Sequence, residues 1–116
     1  MECLFCNIVS KESLSDIVLE TEDQIVFKDI YPKAPIHLLI LPKKHIESIK
    51  DMTEEDIQLV GNLILTAKNI AKEQNMKGYK LVFNIGREGG QMIDHIHLHL
   101  LSGWKTKEER YIKGMP

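Results

Sequence analysis

The sequence predicts an α+β fold, a five-stranded antiparallel sheet with one long helix and a short N-terminal helix. Five short apolar segments bounded by turn residues are typical of strands, and one long segment has apolar residues at helical spacing. The order of these elements, β-β-β-α-β-β, favours one sheet with the helix packed on one face. A chain of 116 residues can bury one hydrophobic core but not two, which predicts a single domain over residues 1–116.

The first half of the chain supplies the short helix and three strands. "CLFCNIV" predicts a short helical turn, and "DIVLE" and "QIVFKDI" predict strands separated by the turn "TED". "YPKAP" is a proline-containing connection, and "IHLLILP" predicts a buried strand that ends at Pro42.

The second half supplies the long helix and two more strands. We expect the helix to begin at Thr53, because "TEED" places a capping hydroxyl and three carboxylates where the helix dipole favours them. Gly78 is the expected stop. "YKLVFNI" predicts a strand, "GREGGQ" a glycine-rich turn, and "DHIHLHLL" the last core strand. The apolar stripe of the helix comprises Ile57, Val60, Leu63, Ile64, Ala67, Ile70 and Ala71.

Composition excludes several classes of partner. The formal net charge of −2 and the lack of a basic cluster argue against nucleic acid. No apolar run reaches the roughly 18 residues of a membrane span. The N-terminal "MECLFCNIVSKE" lacks the basic and apolar regions of a signal peptide. We therefore expect a cytoplasmic protein, with no membrane partner and with its two cysteines reduced.

The histidine run is the most informative segment. His95, His97 and His99 occupy alternate positions, so a strand would place all three on one face and the intervening apolar residues on the other. A buried polar group without a partner costs about 1–3 kcal/mol, so three imidazoles on one face are a poor packing solution.

Two functional interpretations of the run compete. Residues two apart on a strand spread along it, and they rarely all reach one metal ion. An imidazole with a pKa of about 6.5 is mostly neutral at pH 7 and can act as a nucleophile or transfer protons. The spacing therefore favours catalysis, without indicating a substrate.

The remaining motifs leave alternatives open. "GREGG" matches neither common nucleotide fingerprint, so it is either a hairpin loop or a turn whose backbone N–H groups hold a phosphate. The pair Cys3-x-x-Cys6 lies outside any thioredoxin-like pattern. It is either apolar filling or half of a Cys2His2 zinc site, completed by two of the chain's histidines, which include His37 and His45 outside the run.

Three segments together resemble the histidine triad superfamily. "HIHLHLL" matches its signature, and "FKDIYPKAPIHLLILPKKHI" and "GYKLVFNIGREGGQ" precede it in the family's order. The resemblance extends over about residues 3–103. Within the superfamily, the chain resembles the Hint branch, the purine nucleoside phosphoramidate hydrolases, more than the diadenosine-polyphosphate branch.

The resemblance implies a role for each motif. His97 would attack the α-phosphorus and form a nucleotidyl-imidazole intermediate, which water then hydrolyses. His99 and Asn84 would contact the phosphate, and Asp29 would bind the ribose hydroxyls. The backbone of Gly90, Gln91 and Met92 would also hold the phosphate. An apolar slot, which suits a purine face, would comprise Leu4, Phe5, Ile8, Phe27 and Ile30.

The resemblance also implies a metal and a partner. Some members of the superfamily hold a structural zinc, and the matching ligands here would be Cys3, Cys6, His45 and His95. His37 would then lie in the active-site strand. Family members are homodimers whose sheets join edge to edge, which would cover an open edge strand. In this chain we expect that edge at residues 79–85, together with the long helix.

The chain departs from the family pattern at three places. Met92 replaces a small hydroxyl residue, Asp94 replaces an apolar or aromatic one, and the tail over residues 104–116 differs from the family tail, which reaches the partner's active site. The alternatives to a phosphoramidate hydrolase are a dinucleoside polyphosphate hydrolase or nucleotidyltransferase, and a nucleotide-binding scaffold with weak catalysis. The sequence does not indicate the leaving amine or the purine.

Overall fold

A five-stranded antiparallel sheet forms the centre of the fold in a computed structural model, which describes residues 3–110. The sheet order is β1-β2-β3-β5-β4. The predicted fold class is therefore confirmed. The strands are β1 (Ile17–Glu20), β2 (Gln24–Lys28), β3 (Ile36–Pro42), β4 (Lys80–Phe83) and β5 (Leu98–Ser102), and the helices are α1 (Leu4–Val9), α2 (Ile57–Glu73) and α3 (Lys107–Arg110).

The two faces of the sheet bury different sets of side chains. Alternate strand residues pack against the apolar stripe of α2, which includes Leu63, Ala67 and Ile70. The opposite face packs against the short helix α1 through Phe5 and Ile8. The side that packs against α2 includes Ile96, Leu98 and Leu100. The three histidines alternate with these residues and therefore face α1. The predicted alternation of the histidine run is confirmed.

Both ends of the long helix differ from the prediction. Helix α2 begins at Ile57 rather than Thr53, because residues Glu54–Asp56 form a 3-10 turn. Thr53 still takes part in the cap, since its backbone N–H donates to Asp56 Oδ2 at 3.0 Å. The helix ends at Glu73, well before Gly78. Asn75 adopts a left-handed conformation with φ of 57°, and the Met76 N–H closes the helix on the Ala71 carbonyl at 2.8 Å.

Strand β5 is shorter than the predicted histidine strand. It begins at Leu98, so His95 and His97 lie in the segment that leads into it. In that segment the Ile96 N–H donates to the Ile46 carbonyl at 2.7 Å. The His95 side chain also contacts the Pro42 carbonyl at 2.8 Å. The segment is therefore attached to the connection after β3 instead of continuing the sheet ladder.

The segment after β5 runs back along β4, the edge strand of the sheet. The Lys80 ammonium lies 5.3 Å from the centre of the Trp104 ring. Residues 111–116 of the tail lie outside the described residues. Among residues 3–110, no helix is both long and apolar enough to span a membrane.

Candidate active site

The second and third histidines of the run lie side by side beneath helix α1. The ring centres of His97 and His99 are 5.0 Å apart, and both residues are 8% exposed. Phe5 of α1 packs edge-on against His97, with ring centres 5.0 Å apart. Helix α1 therefore covers the histidine face and excludes water from much of it.

A single hydrogen bond sets the protonation pattern of His97. Its Nδ1 lies 2.7 Å from the His95 carbonyl oxygen, which can only accept a hydrogen bond. The proton of a neutral His97 therefore stays on Nδ1, and Nε2 keeps a free lone pair. Burial lowers the pKa of His97 and outweighs the opposing effects of the His95 carbonyl and of the Asp29 charge. His97 is accordingly a neutral imidazole at pH 7, in the form that a nucleophile needs.

A chain of contacts gives His99 the opposite protonation pattern. The Lys33 backbone N–H donates to His37 Nδ1 at 3.0 Å, so a neutral His37 carries its proton on Nε2. That atom lies 2.9 Å from His99 Nδ1, which must accept. The proton of a neutral His99 therefore sits on Nε2, on the opposite side of the ring. Burial, followed by the charges of His97 and His37, lowers the pKa of His99 to about 3.

Asp29 completes this chain of contacts. Its Oδ2 lies 3.4 Å from His37 Nε2, and its Oδ1 accepts the Tyr31 N–H at 2.8 Å. The Asp29 charge tends to raise the pKa of His37, but burial is the larger effect and the pKa is lowered. Asp29, His37 and His99 offer ligand atoms within 4.8 Å of one another, but the hydrogen bonds occupy both ring nitrogens of His37.

Asn84 and the glycine loop follow the end of strand β4. Val82 pairs with His99 and Phe83 with Leu98, so Asn84 and His97 are the two residues just beyond the last pair of the β4–β5 ladder. The Asn84 amide donates to the Gly89 carbonyl at 3.0 Å. Gly90 has φ of +86°, and a Cβ there would lie 3.4 Å from the Asn84 amide nitrogen. The loop therefore folds closely around Asn84.

The Gln91 side chain braces the loop from within. Gln91 is 2% exposed, and its Oε1 accepts the Gly86 N–H at 3.0 Å. Its Nε2 donates to the carbonyls of Glu47 and Ile93, at 2.6 and 2.9 Å. The Gln91 side chain is therefore engaged within the protein and is not available to a ligand. Met92, the next residue, is 78% exposed.

The residues expected to form the apolar slot divide into two groups. Phe5, Ile8 and Phe27 are 3–6% exposed and pack together in the core beneath α1, with the rings of Phe5 and Phe27 5.5 Å apart. Leu4 and Ile30 are 48% and 75% exposed. The exposed pair offers apolar surface to a ligand, whereas the buried three support α1 against His97.

The first histidine of the run belongs to a different cluster, which also contains Cys3, Cys6 and His45. His95 Nδ1 lies 3.5 and 3.6 Å from the sulfurs of Cys3 and Cys6 and 3.2 Å from His45 Nδ1. Cys6 Sγ lies 3.3 Å from His45 Nδ1. Ligand atoms around a tetrahedral zinc lie about 3.2–3.8 Å apart, since Zn–N is about 2.0–2.1 Å and Zn–S about 2.3 Å. The donor set and its spacing therefore fit zinc.

Protonation in this cluster also suits a cation. His95 Nε2 lies 2.8 Å from the Pro42 carbonyl, so the proton of a neutral His95 stays there and Nδ1 is free to bind a metal. Burial, then the neighbouring Cys3, raises the pKa of Cys6 to about 11. Cys6 is therefore a neutral thiol at pH 7 when no cation is near. A cation bound between the two sulfurs would offset the repulsion of two adjacent thiolates and favour their ionised form. The four residues can therefore hold zinc.

Two contacts near the site are absent from the sequence predictions. The pairing of His37 with His99 depends on strand register, which alternation alone does not give. The other contact is that of the Asp94 carboxylate, which accepts hydrogen bonds from the guanidinium of Arg87 at 2.8 and 3.1 Å. In the sequence, the sign of this ion pair is that an arginine and an aspartate lie seven positions apart, on either side of a glycine turn.

Comparisons with known proteins decide the family. A family model described as "Scavenger mRNA decapping enzyme C-term binding" matches residues 2–110. An uncharacterized HIT-like protein of Synechococcus elongatus is 40% identical over 103 residues, which cover 88% of this chain and 90% of that protein. The chain belongs to the histidine triad (HIT) superfamily.

Solved structures of HIT proteins share the fold. A HIT family hydrolase from Legionella pneumophila has a TM-score of 0.86 and 45% sequence identity, over 90% of this chain and 95% of that one. A histidine triad nucleotide-binding protein from Candida albicans has a TM-score of 0.72 and 27% identity, over 91% of this chain and 85% of that one. The resemblance to the superfamily is thus confirmed at the levels of sequence and fold.

Proposed function

We propose that this HIT protein hydrolyses the P–N bond at the α-phosphate of a purine nucleoside monophosphate derivative, through a nucleotidyl-His97 intermediate. The observation that carries the proposal is the opposite protonation of two adjacent imidazoles. His97 presents a lone pair at Nε2, and His99 presents an N–H at Nε2. The two solved relatives described above, a hydrolase and a nucleotide-binding protein, support this class of substrate.

In the first step, the lone pair of His97 Nε2 forms a bond to the α-phosphorus while the P–N bond breaks. The electron pair of that bond goes to the leaving nitrogen, which takes its proton from solvent and departs as a neutral amine. The Nε2–H of His99 donates to a phosphoryl oxygen, where it stabilises the transition state. His97 retains its Nδ1 proton, and the His95 carbonyl stabilises the positive charge that forms on the ring.

In the second step, a water molecule attacks the phosphorus and releases a proton to solvent. The bond between phosphorus and His97 breaks, and its electron pair returns to Nε2. The products are the free amine and the nucleoside monophosphate, and both histidines regain their original protonation. Because His97 is already neutral at pH 7, the enzyme needs no separate base to activate its nucleophile.

Binding groups surround the proposed reaction centre. We assign the phosphate to His99, Asn84 and the backbone from Gly90 to Met92, where the Met92 N–H is the backbone donor that has no partner among residues 3–110. Asp29 retains acceptor capacity for the ribose hydroxyls although it accepts the Tyr31 N–H. The base would lie against Leu4 and Ile30, the exposed members of the apolar group.

We further propose that Cys3, Cys6, His45 and His95 bind a structural zinc. When bound, zinc would neutralise the two thiolates and cross-link the segment before α1 to the segment before β5. His95 connects this cluster to the reaction centre, because its carbonyl holds the Nδ1 proton of His97. The cluster thus supports the nucleophile without taking part in the chemistry.

We also propose that the protein is a cytoplasmic homodimer. Strand β4 is an edge of the sheet, and its surroundings expose Tyr79, Leu81 and Ile85 at 38%, 36% and 43%. Ile57 and Ile64, seven positions apart on α2, are 60% and 47% exposed. A second copy that pairs at β4 would extend the sheet and cover these side chains.

A substrate panel with His97→Ala as its control tests the function. The panel contains an aminoacyl AMP phosphoramidate, a simple AMP phosphoramidate and a diadenosine polyphosphate. We expect turnover of the phosphoramidates, a loss on the order of a thousandfold or more in His97→Ala, and AMP binding that falls much less. Rapid quench of the wild-type protein should trap a nucleotidyl-histidine. Tight AMP binding without turnover would instead indicate a nucleotide-binding scaffold.

A further inference from the structure

Arg87 makes three hydrogen bonds across the glycine loop. Its guanidinium donates to both carboxylate oxygens of Asp94, at 2.8 and 3.1 Å, and to the Gln91 carbonyl at 2.7 Å. The pair thus joins the first turn of the loop to the segment that enters the histidine run. Neither residue has a place in the proposed chemistry, and Asp94 occupies a position that is usually apolar or aromatic in the family.

The energetics of the pair argue against a role in stabilising the fold. The side chains of Arg87 and Asp94 are 61% and 57% exposed, and ion pairs at such exposure contribute little to stability. The bidentate geometry, however, fixes the direction of the guanidinium. This matters in a loop where Gly86 and Gly90 both have positive φ, because Arg87 is the one donor to the Gln91 carbonyl among residues 3–110.

The bond to the Gln91 carbonyl sets the direction of the next amide. The Gln91–Met92 peptide is trans, so its carbonyl and its N–H point in opposite directions. Arg87 holds the carbonyl side, which leaves the Met92 N–H on the other side. Among residues 3–110, no group accepts a hydrogen bond from this N–H, whereas the N–H groups of Gly86, Gly89, Gly90 and Gln91 are all bonded within the loop.

The position of Met92 relates this free amide to the reaction centre. Gly90 packs against Asn84, which, like His97, is the residue just beyond the last pair of the β4–β5 ladder. Ile93 packs into the apolar cluster beneath α1, whose Phe5 contacts His97. The residues on either side of Met92 therefore contact two groups that adjoin His97, namely Asn84 and the apolar cluster that contains Phe5.

We propose that Arg87 and Asp94 are positioning residues, which orient the Met92 N–H as a hydrogen-bond donor to the α-phosphate. The inference rests on the proposed function and adds to it. The pair acts only through the peptide and does not itself touch the substrate.

The test follows the Met92 amide proton by NMR during titration with AMP. The proteins are wild type, Arg87→Met, Arg87→Lys and a control, Lys11→Met, which breaks another exposed ion pair, with Glu20 on strand β1 at the opposite edge of the sheet from β4. In wild type and control, saturation with AMP should shift the Met92 proton downfield, as donation to a phosphate oxygen requires. In Arg87→Met the shift should fall by at least about half, while the thermal midpoint stays unchanged.

Kinetics supply the second measurement. Arg87→Met should lower kcat for an AMP phosphoramidate by about ten- to a hundredfold with KM within about twofold, because a misplaced donor weakens the transition state more than the bound substrate. Arg87→Lys should be intermediate, since an ammonium cannot hold Asp94 and the Gln91 carbonyl with the same fork.

The outcomes separate this inference from the proposed function. An AMP-induced shift of the Met92 proton that is equal in wild type and Arg87→Met overturns the positioning role, whatever the activity. A shift that depends on Arg87 in a protein without turnover supports the role and refutes the hydrolase. If AMP moves no amide and no phosphoramidate is cleaved, both proposals fail together.

Discussion

His37 Nε2 lies 2.9 Å from His99 Nδ1, although 62 residues separate the two histidines in the sequence. The Lys33 N–H bond on the far side of His37 fixes the direction of this contact, so that His37 donates and His99 accepts. One backbone amide, that of Lys33 in the connection before β3, therefore determines which nitrogen of His99 presents a proton to a ligand.

This relationship predicts the effect of replacing His37. His37→Phe removes the donor and frees His99 to adopt either protonation pattern, so kcat should fall at least about tenfold. His37→Gln retains an amide donor at a similar reach and should keep more of the activity than His37→Phe. Ring nitrogen NMR of His99 should show a mixed population in the Phe variant. Equal activity in wild type and His37→Phe would contradict the role.

The second prediction concerns acid stability and follows from His99. Its pKa is about 3 in the folded protein but about 6.5 when unfolded, so between these values the unfolded state binds more protons. The free energy of unfolding should therefore fall as the pH drops through this window, by up to about 1.4 kcal/mol per pH unit for this group. Above pH 7 this contribution should be fully present and constant.

Urea unfolding of wild type and His99→Gln at pH 7, 6 and 5 measures the effect. The variant should lose less stability than wild type on acidification, because one buried imidazole no longer titrates. Any metal at the Cys3 cluster is common to both proteins and cancels in the comparison. If the free energy of unfolding falls equally with pH in the two proteins, the pKa of His99 is not lowered by burial as predicted.

The sequence was sufficient to predict the secondary-structure elements and the face of the sheet on which the histidines lie. It was not sufficient to predict contacts that depend on strand register or on loop conformation. Alternation in "DHIHLHLL" correctly placed the histidines opposite Ile96, Leu98 and Leu100. It could not place His37 beside His99, because that contact requires the pairing of β3 with β5. Helix α2 ended early because Asn75 adopts the left-handed conformation, a role that the sequence assigned to Gly78.

The third prediction is dimerisation through β4 and α2. Leu81 lies on the edge strand at 36% exposure, and a charge there would be buried in the proposed interface. Wild type should sediment as two copies of the 13.4 kDa chain at micromolar concentration. Leu81→Lys should weaken the dimer at least about tenfold.

Leu14→Lys serves as the matched control, since Leu14 is 98% exposed and lies before β1, at the other edge of the sheet. It should leave the sedimentation of the dimer unchanged. A wild-type protein that sediments only as a 13.4 kDa species at micromolar concentration would exclude this assembly.

The last prediction is that the chain binds about one zinc through Cys3, Cys6, His45 and His95, whose ligand atoms all lie within 4.8 Å of one another. Metal analysis of protein purified without chelators should find this stoichiometry, and Cys3→Ser should lose it. Zinc at a hundredfold excess over its Kd adds about 2.7 kcal/mol. With about 4 °C per kcal/mol for a chain of this size, Cys3→Ser should lower the thermal midpoint by roughly 10 °C. Ser10→Ala, at the other end of α1, is the control and should retain both metal and midpoint. Metal-free wild-type protein with two titratable thiols and an unchanged midpoint in Cys3→Ser would show that the cluster is a hydrogen-bonded apolar site instead.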